Sequence, residues 1–125
     1  MPDETPDWER PVVAFEIRAK DAKVMRAFYR EMFNWDIEEN DFYAPIPAGV
    51  GGPEKGVGGG IAPNAASPGI SIFIQVRDLQ ASLAKAEQLG GKKTAGPFDV
   101  PQGPTMTTIA QIADPEGNLI ALVQQ

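Results

Sequence analysis

The sequence predicts an α+β domain made of two pseudo-symmetric βαβββ modules, and the main evidence is an internal repeat. Residues 14–33, AFEIRAKDAKVMRAFYREMF, align without a gap on residues 71–90, SIFIQVRDLQASLAKAEQLG. In both copies an alternating strand pattern is followed by an Asp and then by a helical pattern. A unit of this size cannot bury a core alone, so we expect the two copies to pack as a pair.

The repeat and the chain length together define the expected domain organisation. A chain of 125 residues is expected to form one domain, which we assign to residues 12–125. Module one covers residues 12–63 and module two covers residues 69–125. Residues 1–11 contain interior prolines and several charges, so they are predicted to form a flexible N-terminal arm.

Each helix is predicted to begin at a capping Asp and to pack one apolar face on a sheet. Asp21 and Asp78 are suited to the N-cap position, because a short carboxylate accepts hydrogen bonds from the free amides of the first turn. Asn34 and the Gly90-Gly91 pair are placed where a helix ends in a left-handed conformation. The expected buried stripes are Val24, Met25, Phe28, Met32 and Phe33 in the first helix, and Leu79, Leu83, Ala86 and Leu89 in the second.

Further strand-like segments follow each helix. They are WDIEENDFYAP and GVGGGIAP in the first module, and KKTAGP, TMTTIAQIA and NLIALVQ in the second. Residues 114–117, DPEG, match the preferences of a type I turn and predict an antiparallel pairing of the last two strands. The glycine-rich residues 49–60 lack the Gly-Lys-Ser/Thr ending of a phosphate loop, which favours a hairpin loop that leads into a glycine-rich strand.

Composition excludes several classes of function. A net charge of −6 disfavours nucleic acid as a partner, and the longest apolar runs are too short to span a membrane. The acidic start is unlike a secretory signal, so we expect a cytoplasmic protein. The chain has no Cys and no His, so any metal would need oxygen ligands and any acid-base chemistry would fall to Asp, Glu, Lys or Tyr.

Three segments at matching distances resemble the vicinal oxygen chelate superfamily. They are FEIRAKDAKVMRAFYREMFNW, GVGGGIAP and DPEGNLIALVQ, and the likeness covers residues 12–124. This superfamily includes glyoxalase I, extradiol dioxygenases, methylmalonyl-CoA epimerase and the bleomycin and fosfomycin resistance proteins. The resemblance is strongest to the glyoxalase-like bacterial members. It implies that the sheet curves into a half-open cup, whose first and last strands carry the metal ligands in the metal-dependent members.

The resemblance also places the family's metal-ligand positions on this chain. They fall on Ala14, Ser71 and Ala121 and among the glycines near Gly59. Two methyl groups, one hydroxyl and a glycine cannot satisfy a divalent ion that needs three or four charged or imidazole ligands. We therefore predict no metal site and no cofactor.

Strand alternation identifies the side chains expected to face the cup. If Ala14 faces it, then so do Glu16 and Arg18; in the second module Ser71, Phe73 and Gln75 correspond, and in the last strand Leu119, Ala121 and Val123. The full set of predicted ligand-binding residues is Glu16, Arg18, Ser71, Phe73, Gln75, Trp35, Tyr43, Phe98, Gln111 and Ala121. The alternative for Glu16 and Arg18, which lie two residues apart on one strand face, is a structural role in which they pair with each other or with partners across the sheet.

Three hypotheses for function follow from these residues and the resemblance. The leading one is a metal-free protein that binds a small organic molecule in the cup of a homodimer, as the antibiotic-sequestering members imply. The second is a metal-independent lyase or isomerase, with Glu16 as the general base and Arg18 stabilising an oxyanion. The third is an interaction module without a ligand. The charge of the ligand stays open, because the acidic protein favours cations whereas Arg18 favours anions.

Overall fold

The computed structural model of the protein describes residues 9–39, 43–47, 56–102 and 104–124. Most of the predicted N-terminal arm, residues 1–8, lies outside these ranges. The elements in chain order are β1 (Val12–Arg18), α1 (Ala22–Phe33), β2 (Ala44–Ile46), β3 (Gly59–Ala62), β4 (Gly69–Gln75), α2 (Leu79–Gln88), β5 (Lys92–Gln102), β6 (Thr105–Ala113) and β7 (Leu119–Gln124).

The described strands form one open sheet in the order β2-β3-β1-β4-β7-β6-β5. The first strand of each module pairs in parallel with the last, as β1 with β3 and β4 with β7, and a helix makes each crossover. The two modules join where β1 and β4 pair antiparallel at the centre of the sheet. Two helices on one mixed sheet confirm the predicted α+β fold with internal pseudo-symmetry.

The predicted caps and the predicted turn are present. Asp21 and Asp78 each accept a hydrogen bond from the backbone amide three residues further on, at 3.2 and 3.0 Å. Asn34 adopts the left-handed conformation with φ of 57°, and Gly90 has φ of 96°. In the DPEG turn, the Gly117 amide donates to the Asp114 carbonyl at 2.9 Å, and β6 and β7 pair antiparallel on either side of it.

Residues 35–39 differ from the prediction, because they form no strand and the strand of this segment begins only at Ala44. The side chain of Arg30 donates from Nε to the Ile37 carbonyl at 2.9 Å. Glu39 is paired with Arg30 at 2.7 Å and with Arg26 at 3.2 Å. The segment is thus tied to the side chains of α1, and within the described residues module one has one strand fewer than module two.

The α1 stripe predicted to be buried is instead largely exposed. Val24, Phe28, Met32 and Phe33 each have more than half of their surface exposed, whereas Arg26 is only 2% exposed. Ala22, Met25 and Tyr29 make the contact with the core of module one. Two interactions explain this rotation of the helix: Arg26 and Arg30 reach Glu39, and the Tyr29 ring stacks on Trp35 with centroids 5.1 Å apart.

The second helix follows its prediction more closely. Leu79 and Leu83 are buried against β6 and β7 in the core of module two, and Ala86 is half-buried. Leu89 lies just beyond the helix and is exposed, which corrects its assignment to the buried stripe. Both helices pack on the same side of the sheet as the side chains of Ile17, Val76 and Leu122, and this leaves the other face of the sheet without a helix.

Candidate functional site

The face of the sheet opposite the helices contains a cavity of about 540 Å³. Its lining comes from both modules, with side chains from β1, β4, β5, β6 and β7. Six of the ten predicted ligand-binding residues lie at this cavity: Glu16, Tyr43, Phe73, Phe98, Gln111 and Ala121. The structure thus brings together residues that are far apart in the chain.

The strand register explains how these residues meet. Phe73 of β4 is paired with Ala14 of β1 on one side and with Ala121 of β7 on the other. Ala121 is in turn opposite Gln111 of β6, and paired residues in adjacent strands point to the same face of a sheet. One row of paired positions therefore carries the wall of the cavity across the sheet from β1 to β6.

Glu16 is the acidic group at this cavity. It is paired across the sheet with Gly60 of β3 and Ser71 of β4. Burial raises the pKa of the Glu16 carboxyl above its ordinary value, and the positive charge of Arg18 offsets only part of this effect. The carboxyl group is therefore partly desolvated and holds a proton more readily than a carboxyl in water.

Tyr43 lies beside Glu16 and across the backbone of β3. A Cβ atom on Gly60 would overlap the Tyr43 ring, so the absence of a side chain at that position lets the ring lie against the strand. Burial, together with the negative charge of Glu16, raises the pKa of the Tyr43 phenol to about 12. The phenol therefore keeps its proton at neutral pH and is a hydrogen-bond donor at the cavity.

Arg18 and Ser71 interact with each other. The Arg18 guanidinium donates a hydrogen bond to the Ser71 hydroxyl and lies directly over Gly69, where a Cβ atom would overlap it. Ser71 is buried, and neither residue is part of the cavity lining. The Arg18 guanidinium thus makes this hydrogen bond within the strand pair and does not line the cavity, whereas Glu16 does.

Two other predicted residues lie away from the cavity lining. Gln75 is half-buried near the end of β4, opposite Val123. Trp35 packs with the rings of Phe15, Tyr29 and Phe33 on the helix side of the sheet. The prediction that Trp35 forms part of the cup wall is corrected accordingly, because its ring is part of the contact that fixes α1.

A second cavity of about 420 Å³ adjoins the first and was not foreseen from the sequence. The two cavities share Tyr43, Phe73 and Ile109 in their linings. Thr107 lies at the second cavity, and sequence reasoning missed it. The alternation of Thr107, Ile109 and Gln111 along β6 is the signal that would have identified it, once the register of this strand is known.

The residues at the family's metal positions do not fit a metal ion. Ala14 and Ala121 present methyl groups, and the Ser71 hydroxyl accepts the hydrogen bond from Arg18. In the part of the chain that the structure describes, no group of three His, Cys, Asp or Glu side chains is arranged to hold a metal ion. No helix within that part is long and apolar enough to cross a membrane.

Comparisons with known proteins agree with this architecture. The family described as "Glyoxalase-like domain" matches residues 13–123, whereas no curated protein matches the chain. A glyoxalase/bleomycin resistance protein/dioxygenase superfamily member from Vibrio splendidus 12B01 is 12% identical, with a TM-score of 0.64 over 94% of this chain and 100% of that protein.

Two further solved structures are similar at comparable identity. One is a Mn(II)-bound glyoxalase from Novosphingobium aromaticivorans, at 20% identity and a TM-score of 0.63 over 93% of this chain and 40% of that protein. The other is a methylmalonyl-CoA epimerase from Mycobacterium tuberculosis, at 19% identity and a TM-score of 0.56 over 90% of this chain and 86% of that protein. At such identities these structures establish the fold alone.

Proposed function

The chain belongs to the glyoxalase-like domain family, and from that premise we propose that it binds a small organic molecule in the cavity of its concave face without a metal ion. The observation that carries this proposal is the cavity of about 540 Å³. Its wall is mainly apolar, through Phe73, Phe98 and Ala121, and its polar groups come from Glu16, Tyr43 and Gln111. A mainly apolar cleft with a few convergent polar groups is the usual form of a small-molecule site.

The charges at the cavity favour a ligand that is cationic or that donates hydrogen bonds. Glu16 brings its carboxyl group to the cavity, whereas the guanidinium of Arg18 is bonded to Ser71. The net charge of −6 acts in the same direction, because it raises the local concentration of cations near the protein. These observations support the cationic alternative in the conflict between the acidic protein and Arg18.

A thermal-shift screen of the purified protein against cationic antibiotics, anionic metabolites and divalent metals tests the proposal. An organic cation at about one hundred times its dissociation constant should add about 2.7 kcal/mol to the free energy of unfolding, which raises the melting temperature by several degrees. A shift with divalent metals alone, or no shift with any organic compound, would contradict it.

A pair of Ala→Trp variants locates the bound molecule. Ala95 is half-buried in the cavity wall, so Ala95→Trp should occlude the cavity and abolish the shift. Ala84→Trp adds the same side chain on the exposed side of α2 and should leave the shift unchanged. Equal shifts in the two variants would place the ligand elsewhere.

A second candidate function is a metal-independent lyase or isomerase. The observation that favours it is the raised pKa of Glu16, since burial there outweighs the effect of Arg18. A carboxylate that holds a proton more readily is a better general base for removing a proton beside a carbonyl group. Arg18 does not line the cavity, so the protonated phenol of Tyr43 is the better placed donor for a developing oxyanion. Turnover that survives Glu16→Gln would eliminate this candidate.

The third hypothesis, an interaction module with a filled cup, receives less support. It required that the protein's own side chains occupy the concave face, whereas the described residues leave two adjoining cavities there.

The proposal includes a homodimer, which the exposed face of α1 supports. Val24, Phe28 and Met32 follow one another at intervals of four residues on the helix, and each is more than half exposed. The same apolar side chains on two copies can meet across a two-fold axis, so we propose a second copy of the chain as the partner of this face.

A further inference from the structure

The face of the sheet opposite the helices, which we call the concave face, contains the two cavities. They form two chambers that share a wall. The first holds Glu16 and Gln111, and the second holds Thr107. Tyr43, Phe73 and Ile109 line both chambers, so a molecule that passes from one to the other crosses these apolar side chains and the phenol. The volumes of both chambers lie within the range of small-molecule sites.

Thr107 has a feature that the packing of the protein does not explain. The residue is only 2% exposed, and its Oγ1 atom is buried without a hydrogen-bond partner in the described part of the chain. A buried hydroxyl without a partner destabilises the folded state, and buried polar side chains are bonded in most proteins. Thr107 is part of the lining of the second chamber, so a molecule bound there could supply the partner that its hydroxyl lacks among the described residues.

The neighbouring threonine shows the contrast. Thr107, Ile109 and Gln111 alternate along β6 on the concave face, whereas Thr108 points to the opposite face. The Thr108 hydroxyl donates a hydrogen bond to Asp99 Oδ1 at 2.9 Å across the strand pair. The threonine hydroxyl is thus hydrogen-bonded on one face of the strand and has no partner among the described residues on the other.

We propose that the two chambers form one site for an elongated molecule with a polar group at each end and an apolar middle. A cationic or hydrogen-bond-donating end lies at Glu16, the middle crosses Phe73 and Ile109, and a carbonyl or hydroxyl group at the far end bonds the hydroxyl of Thr107. This inference rests on the proposed function, because it specifies the ligand class of the same concave face.

Two series of probes test the assignment by isothermal titration calorimetry at pH 8. One series is the straight-chain alkylamines, and the other is the ω-amino amides of the same chain lengths. In the natural protein, an ω-amino amide whose length spans both chambers should bind about tenfold more tightly than its alkylamine, since one buried hydrogen bond is gained. Thr107→Val should remove this advantage, and Thr108→Val should preserve it.

The melting temperature of Thr107→Val distinguishes a ligand-binding role of the hydroxyl from a structural role. Loss of an unpartnered hydroxyl should leave the melting temperature equal to or above that of the natural protein. A melting temperature several degrees lower would show that Thr107 stabilises the fold and would overturn the inference.

The outcomes separate this inference from the proposed function. If the alkylamines bind but the amides gain nothing, or if the gain survives Thr107→Val, the second chamber has no such role and the first cavity alone binds the ligand. If no member of either series binds, both proposals fail.

Discussion

Two influences have opposite effects on the ionisation of the Glu16 carboxyl group. Partial burial at the cavity favours the protonated carboxyl, and Arg18 two residues away favours the carboxylate. Burial has the larger of the two effects. The ionised form of this carboxyl group thus has a cost to the stability of the folded state.

We expect Glu16→Gln to stabilise the protein at high pH. A carboxyl whose pKa is higher in the folded state binds more protons there than in the unfolded chain, so stability falls as pH rises through the interval between the two values. The variant should therefore melt at a higher temperature than the natural protein at pH 8, and the difference should shrink toward pH 4. A difference that grows as the pH is lowered would contradict this explanation.

Gly60 illustrates a second effect at the residue scale, which is the close approach of a ring to the backbone. Gly60→Ala should lower the free energy of unfolding by about 1–3 kcal/mol, because the new methyl group overlaps the Tyr43 ring. In a Tyr43→Ser background the same substitution should cost much less. Urea unfolding of the four proteins gives the coupling energy, and additive effects would show that the ring does not impose the glycine.

At the scale of elements, the two helices begin alike and pack differently. Both are capped by an Asp that follows a strand, as the repeat predicted. Their buried faces depend on the neighbours of each: α2 buries Leu79 and Leu83, whereas α1 is fixed by its Arg residues and by the stack of Tyr29 on Trp35. Propensity and capping thus decide where each helix starts, and tertiary contacts decide how it is rotated.

Removal of either cap should have a modest and similar cost. Asp78→Ala is expected to lower the free energy of unfolding by about 1 kcal/mol, because the Ala81 amide loses its acceptor. Asp78→Asn is the control, since Asn caps a helix about as well as Asp, and it should cost little. The same pair of variants at Asp21 should give the same pattern in thermal or urea unfolding. An equal cost for Ala and Asn would indicate that charge, rather than the cap, matters at these positions.

At the scale of the whole molecule, the cavity depends on the joining of the two modules. Glu16 belongs to the first module, whereas the second module contributes Phe73, Gln111 and Ala121. The antiparallel pairing of β1 with β4 places these residues on one concave face. Neither module alone contains the complete set of polar and apolar groups.

The proposed homodimer can be tested through the exposed face of α1. Phe28→Asp should raise the dissociation constant of the dimer by about thirtyfold or more, if Phe28 is a central contact. Ala84→Asp adds the same charge to an exposed position of α2 and should leave the dimer intact. Sedimentation velocity over a range of concentrations measures both. A natural protein that sediments as a monomer throughout, or a Phe28→Asp variant that remains dimeric, would contradict the assignment.

Much of the concave face could be predicted from the sequence, because side chains along a strand alternate between its two faces with a fixed period of two. The resemblance placed Ala14, Ser71 and Ala121 on the cup face, and the period of two then assigned their neighbours in each strand. Glu16, Phe73 and Ala121 do lie at the cavity wall. Trp35 was misplaced because it lies in a segment without a periodic pattern. Thr107 and Ile109 were missed because the register of β6 against its neighbours cannot be derived from the strand itself.

The sequence by itself determined the α+β architecture, the internal repeat, the helix caps and the DPEG turn, since each depends on residues that are close together in the chain. Only the tertiary structure decided that Arg18 bonds Ser71, that α1 exposes Phe28, and that Thr107 lies at a second chamber. These facts depend on contacts between residues that are distant in the chain. Packing in the folded protein decides which of several partners each side chain contacts.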